Sequence, residues 1–147
     1  WFASSAWPTS AIVTIEPPMI GPKYRALFPQ VDPDGNEIAG LRMPWVQVPL
    51  ATHTGWNQRA AALGAPEELF SFAGSTLPFA KTKSEREQSG DPRPSIEERY
   101  KDREQYLSMV SKSANDLADK GYVMKEDVPR IVQQAGSRWD WIMSNSH

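Results

Sequence analysis

A chain of 147 residues, 39% of them hydrophobic and with a formal net charge of -2, is long enough to bury one core and has no surplus of positive charge for nucleic acid or an acidic membrane. Cysteine is absent, which excludes disulfides, thiolate catalysis and Cys-ligated metals and leaves the compartment open. No apolar run approaches the roughly 20 residues needed to span a bilayer. The chain begins at Trp1 without Met and without a basic-then-apolar leader, the pattern of a processed product, a trimmed chain or a piece of a longer polypeptide. Twelve of its 13 prolines precede Ser95, which divides it into an irregular, extended first part and a helical last part.

In chain order, Ala11–Ile15 is the first strand candidate, because its β-branched residues fit a pleated surface, and Pro17 and Pro18 end it. Tyr24–Val31 is the second, which Pro29 marks as an edge strand or as a loop in polyproline geometry. Asp32-Pro33-Asp34-Gly35-Asn36 then reads as a turn: Pro presets φ, Gly accepts positive φ, and the Asp and Asn side chains bond to nearby backbone. The turn closes an expected hairpin over residues 24–41. Asp32, Asp34 and Asn36 also have the first three ligand positions of a calcium loop. The sixth position is Glu37 where Gly is needed and the twelfth is Met43 where a bidentate Glu is needed, so the plain turn is preferred and no metal site is expected.

Ile38–Leu50 contains Gly40, Pro44 and Pro49, which exclude a regular central strand, and reads as a run laid along a surface. Ala51–Arg59 follows, with a titratable imidazole at His53, an indole at Trp56, an amide at Asn57 and a guanidinium at Arg59. Those four are the candidate wall of a substrate pocket. The competing reading is a loop whose polar groups satisfy its own backbone. Gly64–Leu69 reads as a turn and one helical turn with Pro66 at its start, and Phe70, Phe72, Leu77 and Phe79 as aromatic-rich packing around Gly74. Thr82-x-x-Glu85 is a capping box for a short helix ending near Gly90, and Ser95-x-x-Glu98 is a second one. From Ser95, Ile96, Tyr100, Leu107, Val110, Ala114 and Leu117 fall on one face of a helix that Gly121 stops; Val128, Ile131, Val132, Ala135, Trp139 and Ile142 form a second stripe. The charges alternate in sign, as on a solvated surface.

The run from Pro29 to Arg59 is followed by Gly74-Ser75-Thr76-Leu77-Pro78-Phe79-Ala80, Glu85-Arg86, Gly90-Asp91-Pro92-Arg93 and Ile96-Glu97-Glu98-Arg99-Tyr100. From about Leu27 to Trp141, these residues resemble the C-terminal region of the family called "alpha/beta hydrolase domain" proteins. The resemblance implies an α/β-hydrolase fold for the parent protein and a Ser, acid, His triad located upstream of this region. The chain agrees in having no G-x-S-x-G: around Ser75 the frame is wrong and Pro78 replaces the last Gly. His53 stands where the family has Tyr, which argues for a ring that packs or hydrogen-bonds rather than a general base. No catalytic residue, cofactor or metal ligand is therefore carried over.

By itself the chain reads as α+β, an extended Pro-rich arm with a β-hairpin followed by a helical hairpin. Residues 1–94 are expected to wrap a hydrolase body, and residues 95–147 to form a two-helix subdomain. Three functions compete. The first is a non-catalytic C-terminal segment of an α/β-hydrolase-like enzyme acting on an ester or related acyl bond, with the upstream catalytic body as its partner in the same or an associated chain. The second is an independent helical protein-interaction module with a Pro-rich arm. The third is a complete small enzyme, for which no spacing of Ser, Asp, Glu, Lys or the two histidines singles out a set.

Overall fold

The computed structural model describes residues 29–64, 67–70 and 73–145. The strand candidate at Ala11–Ile15 lies outside them, as do residues 24–28 of the expected hairpin. At the turn, the Asp32 carboxylate accepts the Asp34 and Asn36 amides at 3.0 and 2.9 Å. The Asp32 carbonyl accepts the Gly35 amide at 2.9 Å, and Gly35 has φ +78°. The described parts of the two arms meet in one antiparallel bridge, Val31 with Glu37.

The run after Gly40 is not extended throughout, since it contains the helical turn α1 (Pro44–Gln47). Pro44 is at its start, where a missing amide leaves no bond unmade, so the residue that forbids a strand begins a helix. The chain then goes out along β1 (Ala51–Thr54) and β2 (Asn57–Gln58) and returns along β3 (Leu69–Phe70) and β4 (Ser75–Pro78). β1 pairs antiparallel with β4, Ala51 opposite Pro78 and Thr54 opposite Ser75. β2 pairs antiparallel with β3, Asn57 opposite Phe70. These strands replace the expected loop. A 3-10 turn occupies Ala61–Leu63 and ends at Gly64, φ +76°, and Leu69 is in a strand; Pro66, where a helical turn is expected to start, lies outside the described residues.

α2 (Lys83–Ser89) starts at its capping box. Thr82 Oγ1 accepts the Glu85 amide at 3.2 Å, Glu85 Oε2 accepts the Thr82 amide at 3.3 Å, and Gly90 closes the helix at φ +67°. The single helix expected from Ser95 to Gly121 is two, α3 (Ile96–Arg99) and α4 (Arg103–Asp119). Tyr100 is extended between them, its hydroxyl donating to the Pro49 carbonyl at 2.9 Å, and Asp102 caps the new helix by accepting the Gln105 amide at 2.8 Å. Burying a tyrosine with its hydroxyl bonded outweighs one more helical turn here. Gly121, φ +79°, ends α4, and α5 (Val128–Ser144) packs back against it.

Among the described residues the architecture is α+β, with five α-helices and two two-stranded sheets. One core joins them: Val48, Leu50 and Phe79 from around the ribbon, Ile96 from α3, Tyr100 from the link after it, and Tyr106, Val110, Ala135, Trp139 and Ile142 from α4 and α5. At its centre Tyr106 lies 5.2 Å from Tyr100 and 5.1 Å from Trp139 between ring centroids. Tyr106, absent from the stripe read from sequence, is 1% exposed.

Candidate functional site

The positioning of His53 begins with Asn36. This side chain is 1% exposed and lies along the edge of β1 that faces away from β4. Its Oδ1 accepts the His53 amide at 2.8 Å and its Nδ2 donates to the Ala51 carbonyl at 3.2 Å. One amide therefore replaces a neighbouring strand and removes the open edge. Thr52, also buried, donates its hydroxyl to the Asp34 carbonyl and accepts from Arg93 Nη1 at 2.8 Å. Arg93 also donates to the Leu77 and Pro78 carbonyls of β4 at 3.1 and 3.4 Å and is paired with Asp91, whose carboxyl it holds below the ordinary carboxylate range.

Two guanidiniums stack on the buried Phe79 ring, Arg99 at 4.2 Å and Arg93 at 5.0 Å from its centroid. Arg99 is bound bidentately by Asp34 and Arg42 is paired with Asp32. The three side chains with calcium-loop spacing are thus committed to the fold: Asp32 to its own turn and Arg42, Asp34 to Arg99, Asn36 to β1. No group of three metal-ligating His, Asp or Glu side chains occurs among the described residues.

On this frame His53 is half-buried in β1, with Nδ1 3.3 Å from Thr76 Oγ1 on the opposite strand. Burial first, and then the positive Arg138 guanidinium on α5, holds its pKa below the ordinary 6.5, so the ring is neutral at pH 7. The other three wall candidates are further along the ribbon. Trp56 is 41% exposed after the turn at Gly55. Asn57 is exposed in β2, and its Oδ1 accepts the Gln58 amide at 2.8 Å. Arg59 is paired with Glu68 at 3.3 Å. One ribbon carries all four, but hydrogen bonds do not converge from them on a common point.

Chemically, the arrangement provides a neutral imidazole beside a hydroxyl. A nucleophile–base pair also needs a third group to orient the base. The described His53 partners are a hydroxyl and an amide oxygen bonded to its backbone, and the charge that acts on the ring is positive. Ser75, the serine nearest to a hydrolase motif, is in extended β4, and its Oγ donates to the Trp56 carbonyl at 3.2 Å. A nucleophile elbow requires a sharp strand-to-helix turn.

Sequence reading missed Asn36, which was absorbed into the turn, and Arg138, which looks like any charge on an amphipathic helix. The alternation Thr52-His53-Thr54 opposite Ser75-Thr76-Leu77 was the available signal for the ribbon. Among the described residues no helix is long and apolar enough to cross a membrane.

The comparisons agree with the residues that carry the resemblance. No curated protein and no solved structure matches the chain significantly. A family model described as alpha/beta hydrolase domain matches residues 4–133. That match starts earlier than the resemblance near Leu27 and ends before Trp141. It covers most of the sequence, and the chain belongs to the alpha/beta hydrolase domain family.

Proposed function

We propose that this chain is the C-terminal, non-catalytic segment of an α/β-hydrolase-like enzyme that cleaves an ester or related acyl bond. Family membership over residues 4–133, together with the absence of G-x-S-x-G from the sequence, is the observation that carries this reading. The triad belongs to a catalytic body in the same parent chain or an associated one, with the α/β-hydrolase sheet there. Residues 1–94 wrap that body, and residues 95–147 form an outer two-helix subdomain. His53, Trp56, Asn57 and Arg59 contribute to the pocket wall by position and contact, not by proton transfer. His53 suits that role, being neutral and held by Asn36.

The test is reconstitution. Short acyl esters should be turned over only when this chain is joined to, or mixed with, the upstream body bearing the serine. Alanine at His53, Trp56, Asn57 or Arg59 should then raise KM several-fold while kcat changes little, the pattern of lost uniform binding. An assembled enzyme whose kcat collapses with His53→Ala would refute the non-catalytic role.

A further inference from the structure

The side chain that holds His53 is itself held from a distance. Asn36 belongs to the turn that begins at Asp32, and within that turn it is the one buried residue. The turn lies directly on β1. A Cβ on Gly35 would come within 2.9 Å of Thr52 Cγ2, and Thr52 donates its hydroxyl to the Asp34 carbonyl. The Asp34 side chain reaches the other way, to Arg99 of α3, 65 residues along the chain. Arg99 Nη1 donates to Asp34 Oδ2 at 2.8 Å and Nη2 donates to Oδ1, and each side chain is 16% exposed.

The rest of the guanidinium is also committed. Its Nε donates to the Pro94 carbonyl at 2.9 Å, and its face is stacked on the buried Phe79 ring. Lysine would keep the charge but supply neither the fork nor the stack. With little solvent around either partner, removing one leaves the other charge poorly compensated. From this chain of contacts we infer that Arg99 is a positioning residue for the candidate pocket wall. Through Asp34 it seats the turn, and the seated turn aims the Asn36 amide that holds the His53 backbone. A residue of the helical part thereby sets the geometry of a residue on the ribbon. His53 matters here as pocket wall, so the role of Arg99 in an enzyme rests on that reading. Its effect on His53 is measured without any ester hydrolysis, so the two can fail separately.

Hydrogen exchange and ring titration of the full chain, read by NMR, decide the matter. Asp34→Asn removes the charge and leaves Arg99 on Phe79; Arg99→Met removes the fork and keeps an apolar chain against the ring. Either should speed exchange at the His53 amide about tenfold or more, because its bond to Asn36 opens. The Phe79 amide, bonded to the Leu50 carbonyl at 3.0 Å at the root of the ribbon, should keep its protection. Either variant should also move the His53 pKa up towards 6.5, since the loosened strand buries the ring less while Arg138 stays on α5. Arg103→Met, which breaks the bidentate pair with Asp140 between α4 and α5, should leave both readings as in the parent. His53 exchange or pKa unmoved in both variants would overturn the role. Equal acceleration at the Phe79 amide would overturn it too, since that marks a general loosening. If Arg99→Met does not fold, Asp34→Asn decides.

Discussion

Asn36 shows how a single side chain can define a site. Replacing it with alanine leaves a part-buried backbone N–H at His53 and a buried C=O at Ala51 without these partners, each at about 1–3 kcal/mol. The predicted result for Asn36→Ala is at least about 30-fold faster hydrogen exchange at the His53 amide, from local destabilisation of about 2 kcal/mol. Unchanged exchange would mean that β4 alone fixes β1. At His53 itself, an NMR pH titration should give a pKa below 6.5. Arg138→Met should raise that pKa but leave it depressed, because burial is the larger cause. The sign for stability follows. The folded value lies below the unfolded one, so this contribution is complete above pH 6.5 and is lost as the pH falls through 6.5 towards the folded value. Residue types alone brought His53 to notice. Its neutrality and its bond to Asn36 were not legible, because they depend on side chains 17 residues before it and on another helix.

At the scale of elements, the legible features were those whose cause is local. The Thr82 and Ser95 capping boxes, the Gly90 and Gly121 stops and the α5 stripe each lie within a few consecutive residues, and the structure shows each of them. The break between α3 and α4 was hidden because Tyr100 fits the helical stripe, and the force that extends it is the Pro49 carbonyl. Asp102-x-x-Gln105 was the signal available for the second start. Asp102→Ala should destabilise the start of α4 by about 1 kcal/mol, seen as faster exchange in its first turn. The Ser95 box makes an acid-range prediction. Bonds from the Ser95 amide and hydroxyl, then Arg86, lower Glu98 from 4.5 to about 2. Its support of α3 is therefore present above pH 4.5 and lost as pH falls towards 2. A carboxyl titration giving Glu98 its ordinary value would contradict the bonding. In the ribbon, a Cβ at Gly74 would overlap the Thr54 carbonyl oxygen, so Gly74→Ala should open the Thr54–Ser75 end of the β1–β4 ladder and remove exchange protection there.

At the scale of the whole molecule, the chain divides between a core that joins ribbon and helices and a ribbon whose far end is exposed. Leu63 is 77% exposed and Leu69 59%, while Phe79 at the root is 2%. The proposed function supplies a reason for such a division: under it the core would hold the segment together, and a catalytic body would be the surface on which the ribbon acts. The measurement that tests this most directly is hydrolysis of a short acyl ester by the purified chain without any upstream body. The account predicts turnover equal to buffer, unchanged by His53→Ala or Ser75→Ala. Saturable turnover by the chain alone that either substitution abolishes would contradict it and would establish a complete small enzyme.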